Sequence, residues 1–337
     1  MMKIVKFFIK AFFILLIILT GIYFIGPKPK FTAIDFRTSE NNIEELSQID
    51  SMLKLNERNV SGIRPDNEAR IIWHNGNRKK TEYVLLYLPG FTASYKEGSP
   101  IHTEFAKRYG MNLYLPRLEL HGLLDTNAFV NITPDSYFES AQQALNLAKK
   151  IGNKIVIMSC STGGTLSIML AQSNPEIHSF IMYSPNIDIK DPMSTLVTEQ
   201  WGSELTSLVM GSDYNRINYK KEAQQYWYAT YHKNGIIALK RMIKDYMKKE
   251  NFSKINQPLY MGYYYKNEDE QDDVVSVPRM LEFFDQISTS PPNKQKVAFE
   301  DGQSHVICSE MMNKNWEKVK ISTFKFAEEV LKLNVVQ

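Results

Sequence analysis

The run SCSTGG at 159–164 holds the residues best suited to do chemistry in this sequence. Ser161 has Ser159 two places before it and Gly163 two places after, with Gly164 next. Small residues at those places let a serine sit on a tight strand-to-helix turn, where the two backbones nearly touch. This is the nucleophile-elbow pattern with serine in its first glycine position. The residue after it, Thr162, offers its backbone N–H at a helix N-terminus to a developing oxyanion. The plainer reading of the same residues is a helix N-cap by Ser161 or Thr162.

A serine nucleophile needs a base and an orienting carboxylate. Of six histidines, His305 is best placed, because it follows an apolar strand at 296–299 through the turn EDGQSH and so reaches the carboxyl edge of a sheet. His121, in LPRLELHGL, precedes the nucleophile and reads as a loop residue shaping the pocket; His74, His102, His178 and His232 have no supporting context. For the carboxylate, KNEDEQDDVVSV offers Glu268, Asp269, Glu270, Asp272 and Asp273. A charge run of this kind is usually a solvated loop. This one leads into Val274-Val275, so one member can face inward: Asp272 is the first choice, Asp273 the second, with Asp188 and Asp191 as outsiders. A second oxyanion donor is expected from the turn that follows YVLLYL, where Phe91 N–H is the candidate.

Other chemistries find little support. There is no Gly-rich phosphate loop and no His/Asp/Glu metal constellation, so neither cofactor nor metal is expected. The two cysteines, Cys160 and Cys308, are too few for a disulfide framework and lack paired zinc spacing. Cys160 reads as a buried small residue. Forty Lys and Arg against 37 Asp and Glu give a net charge of +3, too balanced for a nucleic-acid binder.

The elements that must position these residues alternate. After an amphipathic helix at 40–55 (Ile43, Leu46, Ile49, Met52, Leu53 on one stripe), strands are expected at 69–73, 83–88, 112–115, 154–158, 179–183, 259–264 and 296–299. Helices are expected at 100–109, 134–150 and 163–172, from near Val277, and at 313–333. With 337 residues, 43% of them hydrophobic, the chain has ample material for a large core. The alternation predicts an α/β protein with a mostly parallel sheet, helices on both faces, and ligands beyond the carboxyl ends of the strands. Residues 186–256 interrupt it. That stretch is helix-patterned and aromatic, with Tyr214, Tyr219, Tyr226, Trp227, Tyr228 and Tyr231, and reads as an inserted cap.

The first thirty residues differ in kind. The run AFFILLIILTGIYFIG (11–26) follows Lys3, Lys6 and Lys10 and is stopped by GPKPKF. An apolar span of about 20 residues crosses a hydrocarbon core. No small-x-small cleavage site follows, so residues 1–30 are expected to be an uncleaved single-pass anchor, a cleaved secretory signal being the alternative. Lysines flank both sides, and the positive-inside bias only leans toward a body outside the cytoplasm.

LPGF, PRLELHG, SCSTGG, DDVV and GQSH, in that order, resemble the α/β-hydrolase superfamily over residues 69–333, in particular serine hydrolases similar to monoacylglycerol lipases and serine aminopeptidases. The resemblance implies a triad of Ser161, Asp272 and His305, an oxyanion hole from the Phe91 and Thr162 amides, and a helical cap that selects the substrate. It implies hydrolysis of a small-molecule or lipid carboxylic ester, and residues 1–30 are expected to tether that enzyme to a membrane. Ser159 for glycine, Pro89 for histidine and a longer stretch between Gly262 and Asp272 depart from the pattern. A peptidase or amidase on the same triad, and a tethered non-catalytic binding protein, are the rival readings.

Overall fold

The structure, a computed structural model, describes residues 2–36, 45–124 and 127–336. Helix α1 (Met2–Ile25) opens it, and none of its apolar span Ile4–Ile25 is buried by the rest of the chain. Helix α2 (Leu46–Arg58) buries Ile49 and Leu53 of the expected stripe and runs three residues further than expected; the start expected at Glu40, with Ile43, lies outside the described residues.

The body then builds β1 (Arg70–Ile72), β2 (Thr81–Leu88), α3 (Ile101–Arg108), β3 (Asn112–Leu115), α4 (Pro134–Ile151), β4 (Gly152–Cys160), α5 (Thr162–Ala171) and β5 (Ile177–Tyr183). An insertion follows, containing α6 (Gly202–Met210), β6 (Tyr214–Arg216), β7 (Thr230–His232), α7 (Asn234–Tyr246) and α8 (Lys249–Phe252). The chain returns through β8 (Leu259–Tyr264), α9 (Val277–Gln286), β9 (Lys294–Phe299) and α10 (Trp316–Glu329).

Seven strands form one sheet in the order β1-β3-β2-β4-β5-β8-β9. The pairs from β3 to β9 are parallel, whereas β1 lies antiparallel on β3. The reason is length: only residues 73–80 link β1 to β2, fewer than the dozen or so residues that a crossover between two strands of one sheet running the same way needs. Strand β2 shows why the central runs are continuously apolar. Val84, Leu86 and Leu88 enter the core under α4, α5, α7 and α9, while Leu85 and Tyr87 enter the core under α3 and α10. Successive side chains of a strand point to opposite faces, and here both faces are covered.

The insertion is less helical than its sequence pattern suggests. Gly211 adopts φ +66 and ends α6, and residues 211–233 form loop, a 3-10 turn at Ala223–Gln225 and a short antiparallel ribbon of β6 and β7. Tyrosines and a tryptophan suit a half-buried ribbon as well as a helix, so pattern alone does not separate the two.

Candidate active site

Strand β4 delivers Ser161 to the carboxyl edge of the sheet in a conformation that few non-glycine residues adopt, φ 52 and ψ −117. Neighbouring backbone holds it there. Its N–H donates to Tyr183 O (3.0 Å), and its carbonyl accepts from Gly164 N and Asn186 N (both 2.9 Å). The glycine at 163 is obligatory: a Cβ there would lie 2.0 Å from the Leu88 carbonyl oxygen. Although Ser161 occupies the N-cap position of α5, its side chain makes no capping hydrogen bond, so the hydroxyl is not consumed by the helix. Ser159 is fully buried, and its hydroxyl has no partner among the described residues.

Beyond β8, Asp272 turns inward and is fully buried, while Glu268, Asp269, Glu270 and Asp273 stay exposed. Its Oδ1 accepts from Val274 N (2.9 Å) and Val275 N (3.0 Å); its Oδ2 lies 2.7 Å from His305 Nδ1. The outsiders are engaged elsewhere: Asp188 pairs with Lys240 (2.5 Å), and Asp191 accepts from Met193 N (2.9 Å). Burial pushes the Asp272 carboxyl upward, but the His305 charge and the three hydrogen bonds outweigh it and hold the group below its ordinary range. For His305, burial pulls the imidazole down, and the charge and hydrogen bond of Asp272 overcome this, so it binds its proton more tightly than a free histidine. With Nδ1 facing the carboxylate, His305 Nε2 has no hydrogen-bond partner among the described residues.

Ser161, His305 and Phe91 border one cavity of about 610 Å³. Its walls are largely apolar, including Leu196, Leu205 and Val209 of the insertion and Leu239 of α7. Of the aromatic residues between 214 and 231, Tyr219, Trp227 and Tyr231 reach it. Tyr226 instead donates to Asp66 (2.8 Å), and Tyr214 and Tyr228 border a second cavity of about 350 Å³. The Phe91 ring lies 4.9 Å from Phe129 and 5.0 Å from Tyr231, and Ala93 and Thr92 pair with backbone of the insertion at Trp227 and Tyr228. The turn carrying Phe91 is thereby clamped between sheet and insertion. Thr162 opens α5, in the first turn whose amides lack intrahelical acceptors.

His121 does not shape this cavity, contrary to its sequence reading. It is buried with Nδ1 at 2.7 Å from Glu119 O and Nε2 at 3.2 Å from Tyr137 Oη, its pKa pushed down to about 4 chiefly by burial. Cys160 is fully buried, and burial raises its thiol well above the ordinary range. Among the described residues no group of three or more His, Cys, Asp or Glu side chains could hold a metal ion. Glu97 was not singled out by the sequence, yet it is buried at the cavity edge.

No protein-family model matches the sequence, and no curated protein matches it. Solved structures do. One of the metagenome-derived lipolytic enzymes LipS and LipT aligns with a TM-score of 0.59 at 16% identity, over 78% of this chain and 98% of that one. A soluble variant of the monoglyceride lipase of Saccharomyces cerevisiae, in complex with a substrate analogue, aligns with a TM-score of 0.59 at 12% identity, over 80% and 92% of the two chains. Ferulic acid-bound Est1E of Butyrivibrio proteoclasticus aligns with a TM-score of 0.54 at 15% identity, over 79% and 95%. The chain has the α/β-hydrolase fold.

Proposed function

We propose that this α/β-hydrolase fold carries a serine hydrolase of carboxylic esters, held at a membrane by residues 1–30, with 31–337 as the catalytic domain and 186–256 as its cap. One observation carries the reading most strongly. The buried Asp272 holds His305 Nδ1 at 2.7 Å, Nε2 has no hydrogen-bond partner among the described residues, and His305 and Ser161 border the same cavity. In this reaction Ser161 Oγ attacks the ester carbonyl while His305 Nε2 takes its proton, and Asp272 fixes the tautomer and balances the imidazolium. The Phe91 and Thr162 amides donate to the oxyanion. His305 then returns the proton to the leaving alkoxide, and water repeats the sequence to free the acid.

The apolar walls favour an acyl chain over a charged peptide, which is why ester is preferred to amide. The lipolytic and esterase neighbours support the same choice. The body belongs, in this reading, on the extracytoplasmic side. Fluorophosphonate labelling followed by peptide mapping tests the assignment: the adduct is expected on Ser161, and labelling of a different serine, or of none in folded protein, overturns it.

A further inference from the structure

Glu97 lies in a short 3-10 turn, Tyr95–Gly98, and is only 2% exposed. It forms no ion pair among the described residues, and a buried carboxyl so placed is costly to retain unless its hydrogen bonds matter. Its Oε2 accepts two of them, from Gly90 N at 2.7 Å and from Tyr87 Oη at 2.9 Å. Its Oε1 packs so closely on Gly90 that a Cβ there would be 2.8 Å away, and on the other side that Cβ would stand 3.0 Å from Ser161 Cβ. The Gly90 carbonyl is engaged too, accepting from Ala93 N at 3.2 Å.

Those two bonds fix both ends of Gly90, the most permissive residue in the turn. A trans peptide is planar, with its N–H opposite its C=O. Turning the Gly90 carbonyl toward Ala93 therefore aims the Phe91 N–H the other way, while the bond from Gly90 N to Glu97 stops the preceding plane from swinging. We propose that Glu97 is a positioning residue, which holds the Gly90-Phe91 peptide in the orientation that presents the Phe91 N–H to the oxyanion. The inference rests on the hydrolase reading above.

Around Glu97 stand Tyr87 from β2, Cys160 from β4, and His305 and Cys308 from the loop after β9, with Tyr137 and Tyr219 further off. Burial pushes its carboxyl up to about 7, partly opposed by the Gly90 and Tyr87 hydrogen bonds. Where it is ionised, its charge raises the proton affinity of His305.

The test compares wild type, E97A and E97Q in the full chain on a short p-nitrophenyl ester across pH, with thermal unfolding as a control. Removing one oxyanion donor outright costs about 10²–10³ in kcat. Misaiming it in E97A is expected to lower kcat by roughly 10–100-fold, within that bound, with KM little changed. The Gln amide oxygen can still accept from Gly90 and Tyr87, so E97Q is expected to recover most of kcat, and its acid limb should move to lower pH because the charge near His305 is gone. A purely structural carboxyl would lower stability without a kcat-specific loss. E97A folded with wild-type kcat, or E97Q as impaired as E97A, overturns the inference. An inert wild type overturns the hydrolase reading and this inference together, which separates the two failures.

Discussion

Asp272 and Asp273 are neighbours with opposite environments, and that difference decides what each can do. Asp272 has both oxygens occupied, one by two backbone amides and one by His305, whereas Asp273 is exposed at the cavity margin. Asp272→Asn keeps the volume but reverses what Nδ1 can be offered, since an amide nitrogen there favours the wrong tautomer. Turnover of a short ester should fall by on the order of 10⁴. Asp273→Asn should change it far less, and steady-state kinetics on both variants checks the pair; a reversed order would make Asp273 the triad acid. The same carboxylate sets the pH profile. In the proposed mechanism His305 acts as base only when neutral, and its proton affinity is raised, so kcat/KM should climb with pH through a midpoint above the ordinary value of about 6.5. A midpoint below that value would mean that desolvation, not Asp272, dominates the imidazole.

At the scale of elements, the strand-turn-helix from β4 to α5 is the part of the fold with least tolerance. Because a Cβ on residue 163 would meet the Leu88 carbonyl at 2.0 Å and its carbon at 2.7 Å, both backbone atoms in a central strand, Gly163→Ala must move β2 or α5. The loss should reach the upper end of the roughly 1–3 kcal/mol that overpacking costs, and activity should go with it. Ser159→Ala removes a buried hydroxyl that has no partner among the described residues, so chemical denaturation should show it no less stable than wild type. These elements were legible because their sequences are locally consistent. The buried runs at 84–88 and 155–158 admit little else than central strands, and 259–264 coincides with β8. Asp272 and His305 are legible in the sequence because an acid just ahead of two valines and a histidine just past a late strand can turn inward. Three features were not legible, for different reasons. The three residues of β1 carry no information on direction, which is set by the short link to β2. The aromatic insertion fits helix and ribbon equally. Glu97 is a lone acid in a loop, and its burial depends on Tyr87, Gly90 and Cys308, the last 211 positions away in sequence.

At the scale of the whole molecule, α1 and the catalytic body meet at the insertion. Trp201, just before α6, donates from its indole to Ile22 O (3.2 Å) and from its backbone to Pro27 O (2.6 Å), while Lys28 pairs with Glu199 at 3.0 Å. The residues that follow belong to the body: Ile34 is 8% exposed in the main core, and Phe36 packs on Phe138 and Tyr246 at 4.8 and 5.3 Å. A cut after residue 30 therefore removes contacts that a cut after residue 25 keeps. Met193 and Val209, 58% and 78% exposed, border the cavity of Ser161 and His305 from the segment that touches the end of α1. If α1 spans a bilayer, that apolar rim stands close to the surface where acyl esters partition, and the anchor supplies local concentration and not chemistry. Deleting residues 2–25 should then release a soluble protein with unchanged kcat on a dissolved p-nitrophenyl ester. Activity on a monoacylglycerol presented in vesicles should fall by on the order of 10-fold or more, because the tether no longer holds enzyme and substrate on one surface. Both forms should prefer the monoacylglycerol to an aminoacyl anilide. A preference for the anilide would favour the peptidase reading, and loss of activity on the dissolved ester in the shortened protein would make α1 part of the folded site.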